Sequence, residues 1–176
     1  MASRIYHIDK TMKIGVVSDT HISGSSCELP EKLTAELKKC SLIIHAGDMV
    51  DVCVLDSLNK LSKVLAVYGN MDSDNVRSKL EAKEIFSVGG KKICVMHGYG
   101  HPDNLVDILR NELFSEKPDI IIFGHSHVPK NEYIDGVLFF NPGSATDKVF
   151  APYRSYGIIE IDKEGNINAE IHKLIP

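Results

Sequence analysis

Asp19-Thr20-His21 and His125-Ser126-His127 each place two metal-binding side chains one residue apart. Alone, either spacing is a weak signal, met as often at a helix cap or a surface turn. Three further donors stand in comparable settings, at Gly47-Asp48, Gly69-Asn70 and His97-Gly98. Each of the five follows a short apolar run, at 14–17, 42–44, 64–67, 93–96 and 120–123. Runs of this kind, rich in branched residues and bounded by Gly, read as buried strands. Ligands of an α/β sheet bind in the crevice beyond the carboxyl ends of its strands. Five strand ends carrying Asp, Asn or His therefore predict one polar cluster. On extended backbone just past a strand, residues i and i+2 point the same way, so Asp19 with His21 and His125 with His127 are expected to act as pairs.

The donor types define the chemistry. Asp19, His21, Asp48, Asn70, His97, His125 and His127 offer more ligands than one tetrahedral zinc uses, which argues for two divalent ions. Imidazole, carboxylate and amide oxygen without thiolate suit borderline metals: manganese first, with nickel, cobalt, iron, zinc or magnesium as alternatives. Asp48, in the middle of the set, is the candidate bridge, because a carboxylate has two oxygens. Asp19 and Asp48 as the only anionic donors half-neutralise two dications, leaving a positive centre that attracts phosphate. Two ions roughly 3.5–4 Å apart can clamp both the attacking oxygen and the non-bridging oxygens of an in-line displacement. The plain alternative is a set of loop caps and core histidines, against which the five coincident placements weigh.

The elements that must position these residues follow from periodicity. In the first half, strands near 13–18, 41–45 and 63–68 alternate with helical patterns: Leu29, Leu33, Leu37 and Cys40, then Val54, Leu55, Leu58 and Leu61. Pro30 suits the first turn of the first helix. A later helix carries Leu105, Ile108, Leu109 and Leu113 behind a candidate Asp103 cap. From Glu84 onward the texture becomes antiparallel: residues 85–88, Gly89-Gly90 and 91–96 form a hairpin signal. Residues 137–141, 156–162 and 166–172 also read as strands. Helix–strand alternation followed by hairpins predicts an α/β fold of two mixed sheets packed together, with helices outside.

At 176 residues the chain fits one domain, expected to span 12–176, with residues 1–11 as a disordered leader or tag and Met12 as a second candidate start. Its formal charge of −4 argues against a sequence-independent grip on nucleic acid. No apolar run is long enough to cross a bilayer. Cys27, Cys40, Cys53 and Cys94 lack a C-x-x-C pair, so reduced, buried thiols and a cytoplasmic location are expected.

In order and spacing, Asp19-x-His21, Gly47-Asp48, Gly69-Asn70, His97 and Gly124-His125-x-His127 resemble the motifs of the calcineurin-like metallophosphoesterases. The length and Asn141-Pro142-Gly143-Ser144 resemble that superfamily's small single-domain phosphodiesterase branch. The resemblance covers residues 13–172 and implies a four-layer α/β/β/α sandwich. It also implies that Asp19, His21, Asp48 and His127 hold one metal, and that Asp48, Asn70, His97 and His125 hold the other. A hydroxide bridging the two ions would then attack phosphorus directly. Many members carry a His directly after the motif Asn, over the leaving group; here the position is Met71. Met cannot donate a proton, and general acid help is worth about 10²–10⁴-fold. Asp48, Asn70 and His101 are the residues expected to take part in the reaction. His101, four residues after His97, is the candidate substitute donor or phosphate contact, an ordinary surface His being the alternative.

The expected function is therefore a metal-dependent phosphodiesterase acting on a small diester, with self-association left open. The alternative is a binding scaffold like the metallophosphoesterase-like subunit of the retromer sorting complex, kept alive by Met71. A nuclease is weaker, because no basic groove or aromatic stacking platform is apparent. His45 is expected to pack behind the site, and Asp72 to cap a helical turn or orient Asn70. Specificity should reside in loops 23–29, 71–80 and 98–104.

Overall fold

The computed structural model describes residues 4–6, 10–24 and 27–175. Two β-sheets lie face to face. The five-stranded sheet runs β11-β10-β2-β3-β4, formed by β2 (Met12–Val17), β3 (Leu42–His45), β4 (Val64–Ala66), β10 (Ser155–Ile161) and β11 (Ile167–Lys173). Strands β2, β3 and β4 are parallel neighbours, and β10 inserts antiparallel beside β2. The six-stranded sheet runs β1-β5-β6-β7-β9-β8, formed by β1 (Arg4–Tyr6), β5 (Lys83–Val88), β6 (Lys91–Met96), β7 (Ile120–Ile122), β8 (Lys130–Ile134) and β9 (Val137–Asn141). Strands β5 and β6 form the hairpin expected from Gly89-Gly90, whose glycines both take positive φ.

The apolar runs divide their side chains between two faces, as the twofold period of a strand requires. Ile14, Val16, Leu42, Ile44, Ile93, Val95, Ile120 and Ile122 point into one central cluster shared by both sheets. Val17 and Ile43 point the other way, onto Leu33 and Leu37 of α1 (Glu31–Leu37) and Val54 and Leu58 of α2 (Val52–Asn59). Cys94, Ile121 and Phe139 face Leu105, Leu109 and Leu113 of α4 (Leu105–Leu113). Three apolar clusters separate helix, sheet, sheet and helix, the expected four layers. A short α3 (Asp74–Arg77) follows β4.

Several local expectations are corrected. Arg4–Tyr6, placed in the expected leader, pair in parallel with Phe86–Val88, because the edge of β5 is otherwise open. Of the rest of that call, residues 1–3 and 7–9 lie outside the described residues, and Lys10 and Thr11 are exposed and in neither strand nor helix. Cys27 and Cys53, expected to be reduced, form a disulfide with Cα atoms 5.9 Å apart; the Ile22–Val50 bridge brings their two segments together. Cys40 and Cys94 are free and buried, as expected. Pro30 is the N-cap rather than the first helical residue. Asp103 does not cap α4; it lies in a 3₁₀ turn, Pro102–Asn104, capped by the His101 side chain. Strand β8 had no sequence signal, since its residues are mostly exposed and polar. Among the described residues no helix is long and apolar enough to cross a membrane.

Candidate metal centre

The cluster sits where the carboxyl ends of β2, β3, β4, β6 and β7 converge, so both sheets contribute donors. The backbone there is not extended. Asp19, His21, Asp48, Val50, His125 and His127 all have positive φ, between 44° and 75°. The expectation of paired side chains on extended segments is thus corrected: alternate left-handed residues turn the chain at every second position and aim both donors of each pair inward. Positive φ is costly for any residue with a Cβ, and most of all for β-branched Val50. Such outliers persist where their surroundings over-determine them, and they gather at functional sites.

Those surroundings are visible. Asp72 accepts hydrogen bonds from the Asp48, Val50 and Gly69 N–H groups at 3.0, 2.6 and 2.7 Å. It thereby ties the β3 and β4 loops together instead of capping α3, whose N-cap is Ser73. Arg77 donates to the Gly69, Asn70 and Asp72 carbonyls. Asp19 accepts from Ser18 Oγ at 2.6 Å and from the His125 N–H at 3.1 Å, linking the sheets. Asn141 donates from Nδ2 to Gly124 O, while Ser144 and Thr146 donate to the Asp19 and Thr20 carbonyls. The Asn141–Ser144 turn therefore supports the donor loops. His45, fully buried, contacts Thr20 Oγ1 and accepts from the Gly47 N–H. Burial pushes its pKa down to about 4, so it is neutral, in its expected place behind the site.

Among the donors themselves, acceptor atoms face one another. His97 Nδ1 must donate to Ala46 O at 2.7 Å, because a carbonyl cannot donate. In the neutral ring its Nε2 is then a bare lone pair, buried and without a hydrogen-bond partner, 3.2 Å from Asp48 Oδ2 but outside bonding geometry. His127 Nδ1 is held by Asp147 Oδ2 at 2.5 Å, which leaves Nε2 facing Asp19 Oδ1 at 3.3 Å and His21 Nε2 at 3.2 Å. His125 Nε2 donates to Gly100 O at 2.8 Å, and its Nδ1 meets Asn70 Oδ1 at 3.0 Å. A cation placed between them satisfies these acceptors together. Protons supply that charge in part. Burial opposes protonation of His97, but Asp48 and Asp19 outweigh it and raise its pKa. His127 is lifted to about 9 by Asp19, against partial burial and with help from Asp147. The donor set fits a divalent ion better, and an imidazole whose far nitrogen is fixed by a carbonyl or carboxylate is the usual arrangement of a metal ligand.

Among the described residues three groups have ligand atoms within 4.8 Å of one another; two of them, Asp19, His21 and His127, and Asp19, Asp48 and His97, lie here, and the third is Cys27, Asp51 and Cys53. Asn70 and His125 line the adjoining cavity of about 710 Å³, together with Met71, Pro102, Thr146, Asp147 and Phe150. His101 is not among the residues lining that cavity. It is exposed, and its Nδ1 accepts from the Asp103 N–H, so the expected substitute donor is not brought to the cluster. Asp147 and Arg77 escaped the sequence reading. Both act on other residues, and neither belongs to a donor motif.

The family model described as the calcineurin-like phosphoesterase superfamily domain matches residues 12–164. A protein named a probable metallophosphoesterase from Methanocaldococcus jannaschii is 39% identical over all of this chain and 87% of its own. A phosphodiesterase of the same organism is 27% identical over 87% of this chain and 95% of its own. Among solved structures, vacuolar protein sorting 29 from Cryptosporidium parvum superposes with a TM-score of 0.73 at 20% identity, covering 94% of this chain and 100% of that one. With its two mixed sheets, its flanking helices and donors at five strand ends, the chain belongs to the calcineurin-like phosphoesterase superfamily.

Proposed function

We propose that the protein is a dinuclear-metal phosphodiesterase acting on a small diester. The observation that carries this reading is the buried, unpartnered His97 Nε2 facing Asp48 across a cluster of acceptor atoms. In this reading Asp19, His21, Asp48 and His127 hold one divalent ion, and Asp48, Asn70, His97 and His125 the other, with Asp48 shared. Two such ions supply the positive charge that holds a phosphate and makes water nucleophilic near neutral pH.

The chain's own residues do the positioning. Ala46 O and Asp147 fix the tautomers of His97 and His127, so that both present Nε2. The Met71 N–H donates to Asp48 Oδ1 at 2.7 Å, directing the other oxygen, Oδ2, toward the imidazoles of His97 and His21. Asn70 Oδ1 and His125 stand at the cavity mouth, where one face of the phosphate would lie. Met71 offers no proton to a leaving group, which favours diesters whose departing oxygen leaves without help. The phosphodiesterase relative supports the same substrate class.

Chelation followed by refilling with manganese, nickel, cobalt, magnesium or zinc tests this on a chromogenic diester and its monoester. Metal-restored hydrolysis favouring the diester, lost by at least about 10³-fold in Asp48→Asn, is expected. Hydrolysis that survives chelation, or an active Asp48→Asn enzyme, would sink the assignment.

A second reading, a non-catalytic binding scaffold, draws on Met71 and on the fold shared with vacuolar protein sorting 29. Tight metal binding with no turnover on either ester would favour it.

A further inference from the structure

Resting on the phosphodiesterase reading, we infer that the substrate is a singly charged diester bearing a planar aromatic ring, and that Phe150 is the residue that selects it. Beside the donors, the cavity is lined by the polar Thr20, Ser126, Thr146 and Asp147 and by the apolar Ile22, Met71, Pro102 and Phe150. Among the described residues no Lys or Arg lines it, so a second phosphate finds no counter-charge there. That argues against di- and triphosphates and for a monoanion whose remaining bulk is apolar.

The apolar lining is open. Phe150 is 79% exposed and Met71 57%, an uncovered surface of the kind that marks a binding site when it rims a functional cavity. The backbone of each is held in register with the donors. The Met71 N–H is bonded to Asp48, and the Phe150 loop is fastened to His127 through Asp147, whose carboxylate accepts from the Val149, Phe150 and Ala151 N–H groups. The Phe150 ring stands edge-on to the His127 imidazole, with centroids 6.3 Å apart and planes at 81°. Most of the ring is left uncovered beside this candidate metal ligand. A flat aromatic group packs on such a ring better than an alkyl chain of equal charge.

The test uses metal-loaded protein and three monoanionic phosphinates, whose two P–C bonds leave no ester to hydrolyse: dimethylphosphinate, methylphenylphosphinate and the methylphosphinate of 5′-deoxythymidine joined through C5′. Calorimetric titration should show a ring-bearing ligand binding about 10-fold tighter than the methyl one. Gain by the phenyl ligand alone identifies an aryl ester as the source of the ring, and gain by the thymidine ligand alone a nucleobase; gain by both leaves the selected group a generic flat ring. The advantage should vanish in Phe150→Leu, which keeps apolar bulk without a plane, and persist in Phe150→Tyr. An equal affinity for all three ligands, or an advantage that survives Phe150→Leu, overturns the inference. Diester hydrolysis without ring preference would reject the ring site alone. Ring-selective binding without hydrolysis would reject the phosphodiesterase reading and leave the ring site standing.

Discussion

Asp147 shows how one side chain can act on chemistry it never touches. Partial burial opposes its charge, but His127 and three backbone N–H groups outweigh that and pull its pKa to about 2, so it is a fixed anion at neutral pH. It sets the tautomer of His127 and holds the loop that carries Phe150. Losing the carboxylate that orients a ligating imidazole typically costs about 10–100-fold in metal affinity. Asp147→Asn should therefore weaken metal binding by that factor, measured by competition with a chelator, and activity should recover at saturating metal. Unchanged affinity would assign Asp147 to the loop alone. The donors it serves were legible in the sequence because their types are chemically unusual at strand ends. Asp147 was not, because nothing in Ser144-Ala145-Thr146-Asp147 separates a carboxylate that steers an imidazole from one that closes a turn.

At the scale of elements, the strands were readable and the loops between strand end and helix were not. A period of two and a run of branched residues locate Ile14–Val17 or Ile120–Phe123 without ambiguity, whereas the left-handed turns at Asp19, His21, His125 and His127 have only a weak signature, since Asp and His are enriched there but adopt that conformation rarely. Glycine is the partial exception, since close approach demands it. A Cβ on Gly69 would run into Asp48 Oδ1 and lie 2.7 Å from both the Asp48 nitrogen and His97 Cδ2. Neither backbone nor buried imidazole can withdraw, so Gly69→Ala should displace the Asp48 carboxylate. We expect a stability loss of about 1–3 kcal/mol by thermal unfolding, together with a metal affinity at least about 10-fold weaker. Loss of stability with normal metal binding would show that the loop relaxes without moving Asp48.

For the whole molecule, the buried neutral His45 links the site to global stability. Its folded pKa of about 4 lies below the ordinary 6.5. Above pH 6.5 neither folded nor unfolded chain protonates it, and its contribution is fully present. Between 6.5 and 4 the unfolded chain takes up a proton that the folded one refuses, so stability falls as pH falls. The loss is on the order of 3 kcal/mol and levels off below pH 4. Urea unfolding across this range should show the slope in the wild type and a smaller one in His45→Asn; equal slopes would place the acid sensitivity elsewhere. Two mixed sheets with helices outside followed from helix–strand alternation and the hairpin, but the place of β10 did not, because neighbours so distant in sequence leave no local trace. That place bears on biosynthesis. Strand β2, which leads into Asp19 and His21, has β10 as one of its two neighbours, and Asp147 lies just ahead of β10. A nascent chain still on the ribosome lacks that neighbour until residues 155–161 have emerged. Donor loops held at positive φ by long-range contacts cannot close before then, so a translation product truncated ahead of β10 would be unable to sequester the ion.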